Sequence, residues 1–340
     1  MERPNIYHIV LDAYGREDVL RDLFEHSNAP FLEFLRSRGF QVAARARANY
    51  PVTILSLASV LNADYLQAFI SPWEPRSTDD GPIIRALKEP AVVATLRSLG
   101  YRIVTYSSGY YPTELSSPDL RFDGRRLNGF LAQALGYIQL PFLRSLISEQ
   151  LHLNYRQMLL STLSALPDSA ELSGPNFVFA HIVAPHPPFV FSASGEPVVP
   201  DKLFSQGDGD HYGDRSDYRA RYIDQLVFVS RKIQEAIAQI LESDSNAVIL
   251  LQGDHGPGSE TEFRRRDQTN YRERFGILLA TRLPPGAPPL PDETTPINAM
   301  RMVLNSALHQ ELPLLPERSW YSGLARSFDL RDVTAEAASP

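Results

Sequence analysis

NIYHIVLDAYG at residues 5–15 and NAVILLQGDHGPG at 246–258 follow one plan. In each, an apolar run of strand length ends on a carboxylate inside a Gly-containing turn. IYHIVL reads as a buried strand over 6–11 with Asp12 at its end. NAVILLQGD reads as another, with Asp254 and His255 set between Gly253 and Gly256. Ligands of open α/β sheets bind beyond the carboxyl ends of the strands. The two stretches therefore place Asp12, Asp254 and His255 at one sheet edge.

Between them, strand and helix patterns alternate. PFLEFLRSRG has helical spacing and stops at Gly39, FQVAARA reads as a short strand, and VTILSLASVLN as a helix opening just after Pro51. Residues 82–99 read as one helix ending at Gly100, followed by a strand in RIVTYSS. Residues 107–175 read as mostly helical with loops, NFVFAHIV as a strand over 176–183, and 192–216 as a Gly/Asp/Ser-rich loop. A long amphipathic helix covers 218–243, and FGILLAT gives a further strand. The Pro-rich LPPGAPPLPDE links to a last helix near 296–309, and the polar tail from 326 reads as loose. This alternation predicts an α/β fold with a mainly parallel central sheet, helices on both faces, and a small C-terminal subdomain. Residues 1–282 would form the catalytic domain, with 283–340 completing it.

Three more clusters carry chemistry. Thr53 opens the helix after Pro51. It reads either as an N-terminal cap or as a nucleophile whose alkoxide is favoured by the helix N-terminus; Ser56, one turn on, is the fallback. In HIVAPHPPF, His181 lies inside a strand and reads first as a satisfied core histidine, with a substrate contact as the alternative. His186 precedes Pro187 and Pro188 in a loop, where it suits hydrogen bonding to an anionic substrate or protonation of a leaving alkoxide. Asn49, in NYPVTILS, joins His186 and His181 as a candidate substrate contact. Asp12 and Asp254-His255 alone also fit capping or turn roles. Together, carboxylates and a neutral imidazole suit one zinc or manganese ion, magnesium or calcium being alternatives.

Composition removes other classes. A net charge of −7 argues against a general nucleic-acid binder. The chain has no cysteine, so disulfides, thiolate zinc sites and a cysteine nucleophile are excluded. No apolar run approaches the ~18 residues that span a bilayer. DGDHYG at 208–213 fails as a calcium loop because position twelve would be Arg219 rather than Glu. Gly253, Gly256 and Gly258 lack the spacing of a dinucleotide fingerprint. Arg264, Arg265 and Arg266 read as a solvated face, with reach toward an anionic substrate as the alternative.

Taken in order, PNIYHIVLDAYGR, NYPVTILSLAS, HIVAPHPPF, YIDQL, LLQGDHGPG and ERFGILLA resemble the alkaline phosphatase and sulfatase superfamily over about residues 3 to 322. The resemblance is to its sulfatase-like branch, related to lipoteichoic acid synthase and phosphoethanolamine transferases. It implies Asp12, Thr53, Asp254 and His255 around one divalent metal, Thr53 as nucleophile and His186 as substrate-contacting histidine. Two departures shape the expectation. No Asp-x-x-x-His pair precedes GDHG, which favours one metal over two. Sulfatases of this superfamily mature a Cys or Ser to an aldehyde, whereas position 53 is Thr, which disfavours sulfatase activity. The resemblance thus implies a phosphotransferase or phosphodiesterase with a phosphothreonine intermediate, acting on phosphorylated small molecules, lipid head groups or cell-envelope glycans. Phosphomonoester hydrolysis and a non-catalytic binding module are the alternatives. It further implies an extracytoplasmic domain anchored to a membrane through a segment absent from this chain.

Overall fold

The computed structural model describes residues 3–123, 135, 140–199, 202–209, 212 and 214–339. A seven-stranded sheet has the order β2-β7-β6-β1-β5-β3-β4. Its strands are β1 (Ile6–Leu11), β2 (Gln41–Val42), β3 (Arg102–Tyr106), β4 (Leu120–Phe122), β5 (Asn176–Ile182), β6 (Val248–Gln252) and β7 (Leu279–Arg282). The central run β6-β1-β5-β3-β4 is parallel, and β7 and β2 add an antiparallel edge. The fold is therefore α/β with a mainly parallel sheet.

Every residue of β1, β5 and β6 is buried. Helices cover both faces, which is why these strands are near-continuous apolar runs rather than alternating ones. Alternation survives as a choice of layer: Ile6 and Val10 enter one core cluster, while Tyr7, Ile9 and Leu11 enter the other. The first layer holds α3 (Thr53–Asn62), α4 (Gly81–Lys88), α5 (Ala91–Ser98) and α8 (Pro296–Leu308). The second holds α1 (Glu17–Phe24), α2 (Ala29–Ser37), α6 (Pro141–Ala165) and α7 (Arg215–Ser243). No helix among the described residues is long and apolar enough to cross a membrane.

Three local expectations are corrected. The single helix over 82–99 is two, because Pro90 has no N–H to donate and holds Glu89 out of the helical region (φ −131°, ψ 61°). The stretch 107–175 contains β4, hidden from a periodicity reading by its three half-buried residues; its parts at 124–134 and 136–139 lie outside the described residues. The tail from 326 is docked. Arg331–Asp332 pairs antiparallel with Trp320–Tyr321, a short helix follows over Thr334–Ala338, and Phe328, Val333 and Ala337 enter the core.

Candidate metal centre and active cleft

The register of the parallel run brings the candidate residues together. Val10 pairs with both His181 on β5 and Gln252 on β6. Asp12, Asp254 and His186 then follow their strands at one end of three neighbouring strands. The backbone is tightly held there: Asp12 N–H donates to Ile182 O at 2.9 Å, and His186 N–H to Asp12 O at 3.1 Å. Ala13 adopts a left-handed φ of 63°. That conformation costs a non-glycine residue about 1–2 kcal/mol. It is held by Ala13 N–H donating to Asp254 Oδ1 at 3.1 Å and by Tyr222 O–H donating to Ala13 O at 2.8 Å. The Asp254-His255 loop approaches closely as well: a Cβ at Gly256 would sit 1.9 Å from Glu273 O. Only glycine fits there.

The side chains converge. His255 Nε2 lies 3.4 Å from Asp12 Oδ1, 3.5 Å from Asp254 Oδ2 and 3.2 Å from Thr53 Oγ1. All four residues are buried. Asp12 Oδ1 and Asp254 Oδ2 have no hydrogen-bond partner among the described residues. Two buried carboxylate oxygens without donors are costly unless a cation satisfies them. His255 Nδ1–H donates to Gly256 O at 2.9 Å, which turns Nε2 toward the carboxylates. A second-nitrogen hydrogen bond of this kind orients a metal-binding imidazole. Burial, together with nearby Arg274, lowers the His255 pKa and keeps the ring neutral, as a ligand must be.

Thr53 is the first residue of α3. The residue before it, Val52, provides no side-chain cap, and the Thr53 hydroxyl pairs with His255 instead of with the helix backbone. Ser56 faces away from this chemistry: its hydroxyl donates to Asp254 O at 2.7 Å, and the residue is fully buried. His181 is both satisfied and part of the cluster. Nδ1 pairs with Thr113 Oγ1 at 2.9 Å, and Nε2 lies 3.1 Å from Asp12 Oδ2. Asn49 is not part of it. Its carboxamide accepts from Ile297 N–H at 3.1 Å and donates to Arg318 O at 3.0 Å, so it braces the start of α8 rather than facing the cleft.

A cleft of about 190 Å³ opens over this cluster, with Asp12, Thr53, His186, Asp208, His255 and Arg274 in its wall. Sequence reading missed two of these. Arg274, almost fully buried, donates to Asp208 Oδ2 at 2.5 Å, to Pro51 O at 2.7 Å and to Gly256 O at 3.3 Å. One guanidinium thus ties the loop before Thr53, the loop carrying His255 and the loop carrying Asp208. Its only sequence signal is a charge placed directly before an apolar strand run. Asp208 opens DGDHYG in a Gly/Asp/Ser-rich loop, a composition that points to a turn and not to an ion pair with Arg274. Burial opposes ionisation of Asp208, but Arg274, His186 and His255 hold its pKa down at about 2. For His186, burial disfavours the charged ring, yet the Asp12 and Asp208 carboxylates raise its pKa. His186 Nδ1–H donates to Pro187 O at 2.6 Å, and Nε2 lies 3.9 Å from Asp208 Oδ2.

A family model described as Sulfatase matches residues 4–281. The chain belongs to the sulfatase family. Solved structures share its fold. The C-terminal periplasmic domain of EptC from Escherichia coli superposes with a TM-score of 0.61 at 11% identity, over 98% of this chain and 93% of that one. The C-terminal periplasmic domain of the phosphoethanolamine transferase EptC from Campylobacter jejuni gives 0.54 at 10% identity, over 93% and 97%. The lipoteichoic acid synthase LtaP from Listeria monocytogenes gives 0.52 at 13% identity, over 90% and 72%. No curated protein sequence matches this sulfatase-family chain.

Proposed function

We propose that this protein is a metal-dependent phosphotransferase or phosphodiesterase that uses Thr53 as its nucleophile. The observation that carries the reading is the pair of unpartnered buried oxygens, Asp12 Oδ1 and Asp254 Oδ2, beside His255 Nε2 and the Thr53 hydroxyl. These donors fit one divalent ion of the zinc or manganese type. Asp12, Asp254 and His255 would hold it with Thr53 alongside. When bound, such an ion lowers the pKa of an adjacent hydroxyl and offsets phosphoryl charge.

The chain's own groups account for the rest. Thr53 Oγ1, its proton released to solvent, attacks phosphorus in line, and the bond to the leaving alcohol breaks as the Oγ1–P bond forms. The free N–H groups at the start of α3 favour the phosphoryl charge. His186 Nε2 donates a proton to the leaving alkoxide. Water or an acceptor alcohol then attacks the phosphothreonine and releases Thr53. Sulfate ester cleavage is not expected. The Thr53 β-carbon carries a methyl group, so its oxidation would give a ketone rather than an aldehyde. The substrate class that fits is a phosphorylated small molecule, lipid head group or envelope glycan, met at the outer face of a membrane.

The test is turnover of nitrophenyl phosphodiesters, phosphomonoesters and sulfates with added zinc or manganese, alongside intact-mass measurement. A phosphoryl adduct on Thr53, lost in Thr53→Ala, supports the reading. Turnover of phosphoesters at wild-type rates by Thr53→Ala would overturn it.

A further inference from the structure

A second hollow, of about 580 Å³, adjoins the active cleft, and Phe263 and Leu324 line both. One wall is the segment carrying Arg264 and Arg266; the other runs through Ser322, Gly323 and Arg326. The walls are fitted to each other. A Cβ at Gly323 would lie 2.9 Å from Phe263 O, and Tyr321 O–H donates to Glu262 O at 3.3 Å. Phe263 also stacks under Arg274 of the active cleft, with the guanidinium carbon 5.2 Å from its ring centroid. The hollow is thus continuous, through one aromatic side chain, with the residue that organises the active loops.

Its charge is out of keeping with the chain. The protein carries a net −7, yet the hollow's lining holds Arg264, Arg266 and Arg326 against the single acid Asp329. Neighbouring Arg265, Arg272, Arg318 and Arg331 each pair with a carboxylate. Arg264, Arg266 and Arg326 have no such partner among the described residues. Ser322 in the same wall is buried, and its hydroxyl also lacks a hydrogen-bond partner among the described residues. Unpaired guanidinium groups in a concave wall match the oxygen geometry of phosphate or sulfate.

We propose that this hollow is a second anion subsite, which receives a phosphate or sulfate group of the substrate remote from the ester at Thr53. The preferred substrate therefore carries at least two anionic groups, one for each hollow. The inference deepens the phosphoryl-transfer reading and rests on it for the identity of the first hollow.

The experiment measures binding in the full chain carrying Thr53→Ala, where turnover is blocked. A soluble arm compares a hexose bisphosphate with the matching hexose monophosphate by calorimetry. A lipid arm compares cosedimentation with phosphatidylcholine vesicles containing cardiolipin, which has two phosphates, or phosphatidylglycerol at equal total charge. The bisphosphorylated ligand is expected to bind at least tenfold tighter in one arm, and that arm identifies the source. Arg264→Gln/Arg326→Gln, which takes one charge from each wall, should abolish the preference. Arg264→Lys/Arg326→Lys should retain part of it, and Arg36→Gln/Arg38→Gln, elsewhere on the surface, all of it. Equal binding of mono- and bisphosphorylated ligands in both arms would overturn the inference, as would a preference that survives the Gln pair. If wild-type protein cleaves no phosphoester while the preference stands, it is the phosphoryl-transfer reading that fails.

Discussion

Arg274→Met should uncouple the stability of this fold from the alignment of its active loops. Methionine keeps most of the side-chain volume against Phe263 but removes every hydrogen bond the guanidinium donates. Among the described residues, Asp208 is then a buried carboxylate left with the Tyr218 hydroxyl at 2.9 Å as its hydrogen-bond donor. Removing one partner of a buried ion pair costs about 3–5 kcal/mol. At about 2 °C per kcal/mol for a chain of this size, Tm should fall by roughly 6–10 °C. Adding Asp208→Asn removes the stranded charge. The double variant should therefore recover at least ~1.5 kcal/mol relative to the sum of the single costs, within the range measured for contacting residues. Activity should not recover with it. Arg274 Nε holds Pro51 O, two residues before Thr53, and small misplacements of a reacting group cost on the order of 100-fold in rate. Urea denaturation of the wild type, both single variants and the double gives the cycle, and nitrophenyl phosphodiester turnover gives the rates. Costs additive within ~0.5 kcal/mol would refute the pairing argument. Wild-type kcat in the double variant would refute the positioning role.

Thr53→Ala should lose at least ~1,000-fold in kcat while changing unfolding free energy by no more than about 1 kcal/mol, since one hydrogen bond is lost and no helix cap; calorimetry and kinetics check both. Asp254→Asn keeps the Oδ1 acceptor for Ala13 N–H but removes one of two crowded anionic groups. In chelator it should melt at or above the wild type, and with saturating zinc or manganese below it, because metal binding at ~100 times Kd stabilises by about 2.7 kcal/mol. A variant below the wild type in both conditions would count against the metal centre. Burial raises the Glu273 carboxyl to about 7, against hydrogen bonds donated by Ser259 and Glu260. The folded state then holds a proton that the unfolded state releases near 4.5, so stability falls as pH rises from about 4.5 to 7. The loss approaches ~3 kcal/mol. Glu273→Gln should flatten that part of the profile, and an unchanged slope would count against the assignment.

How far a residue's role could be read from sequence depended on whether its position is fixed locally. Asp12 and Asp254-His255 terminate apolar runs, and a parallel strand fixes where its next residue points, so hydrophobic pattern alone set them on one edge. Thr53 was legible as a helix opening from Pro51 and the apolar run that follows, and its contact with His255 is what favours the proposed nucleophile over a cap. β4 is three half-buried residues, too short to show a period. The tail from 326 looks loose because Phe328, Val333 and Ala337 are spread among polar residues, and their burial comes from the body they dock on. The Asp208–Arg274 pair spans 66 residues of sequence, and neither residue has a local pattern that names the other. A residue at a strand end needs only its own strand to be placed. A residue that holds several loops in register is defined by those loops, and for Arg274 they lie up to 223 positions away. A residue proposed to position the chemistry in this way therefore had to be found in space, and Arg274→Met, which removes none of the proposed metal ligands, is the variant that tells positioning from ligation: it should impair turnover even at saturating zinc or manganese.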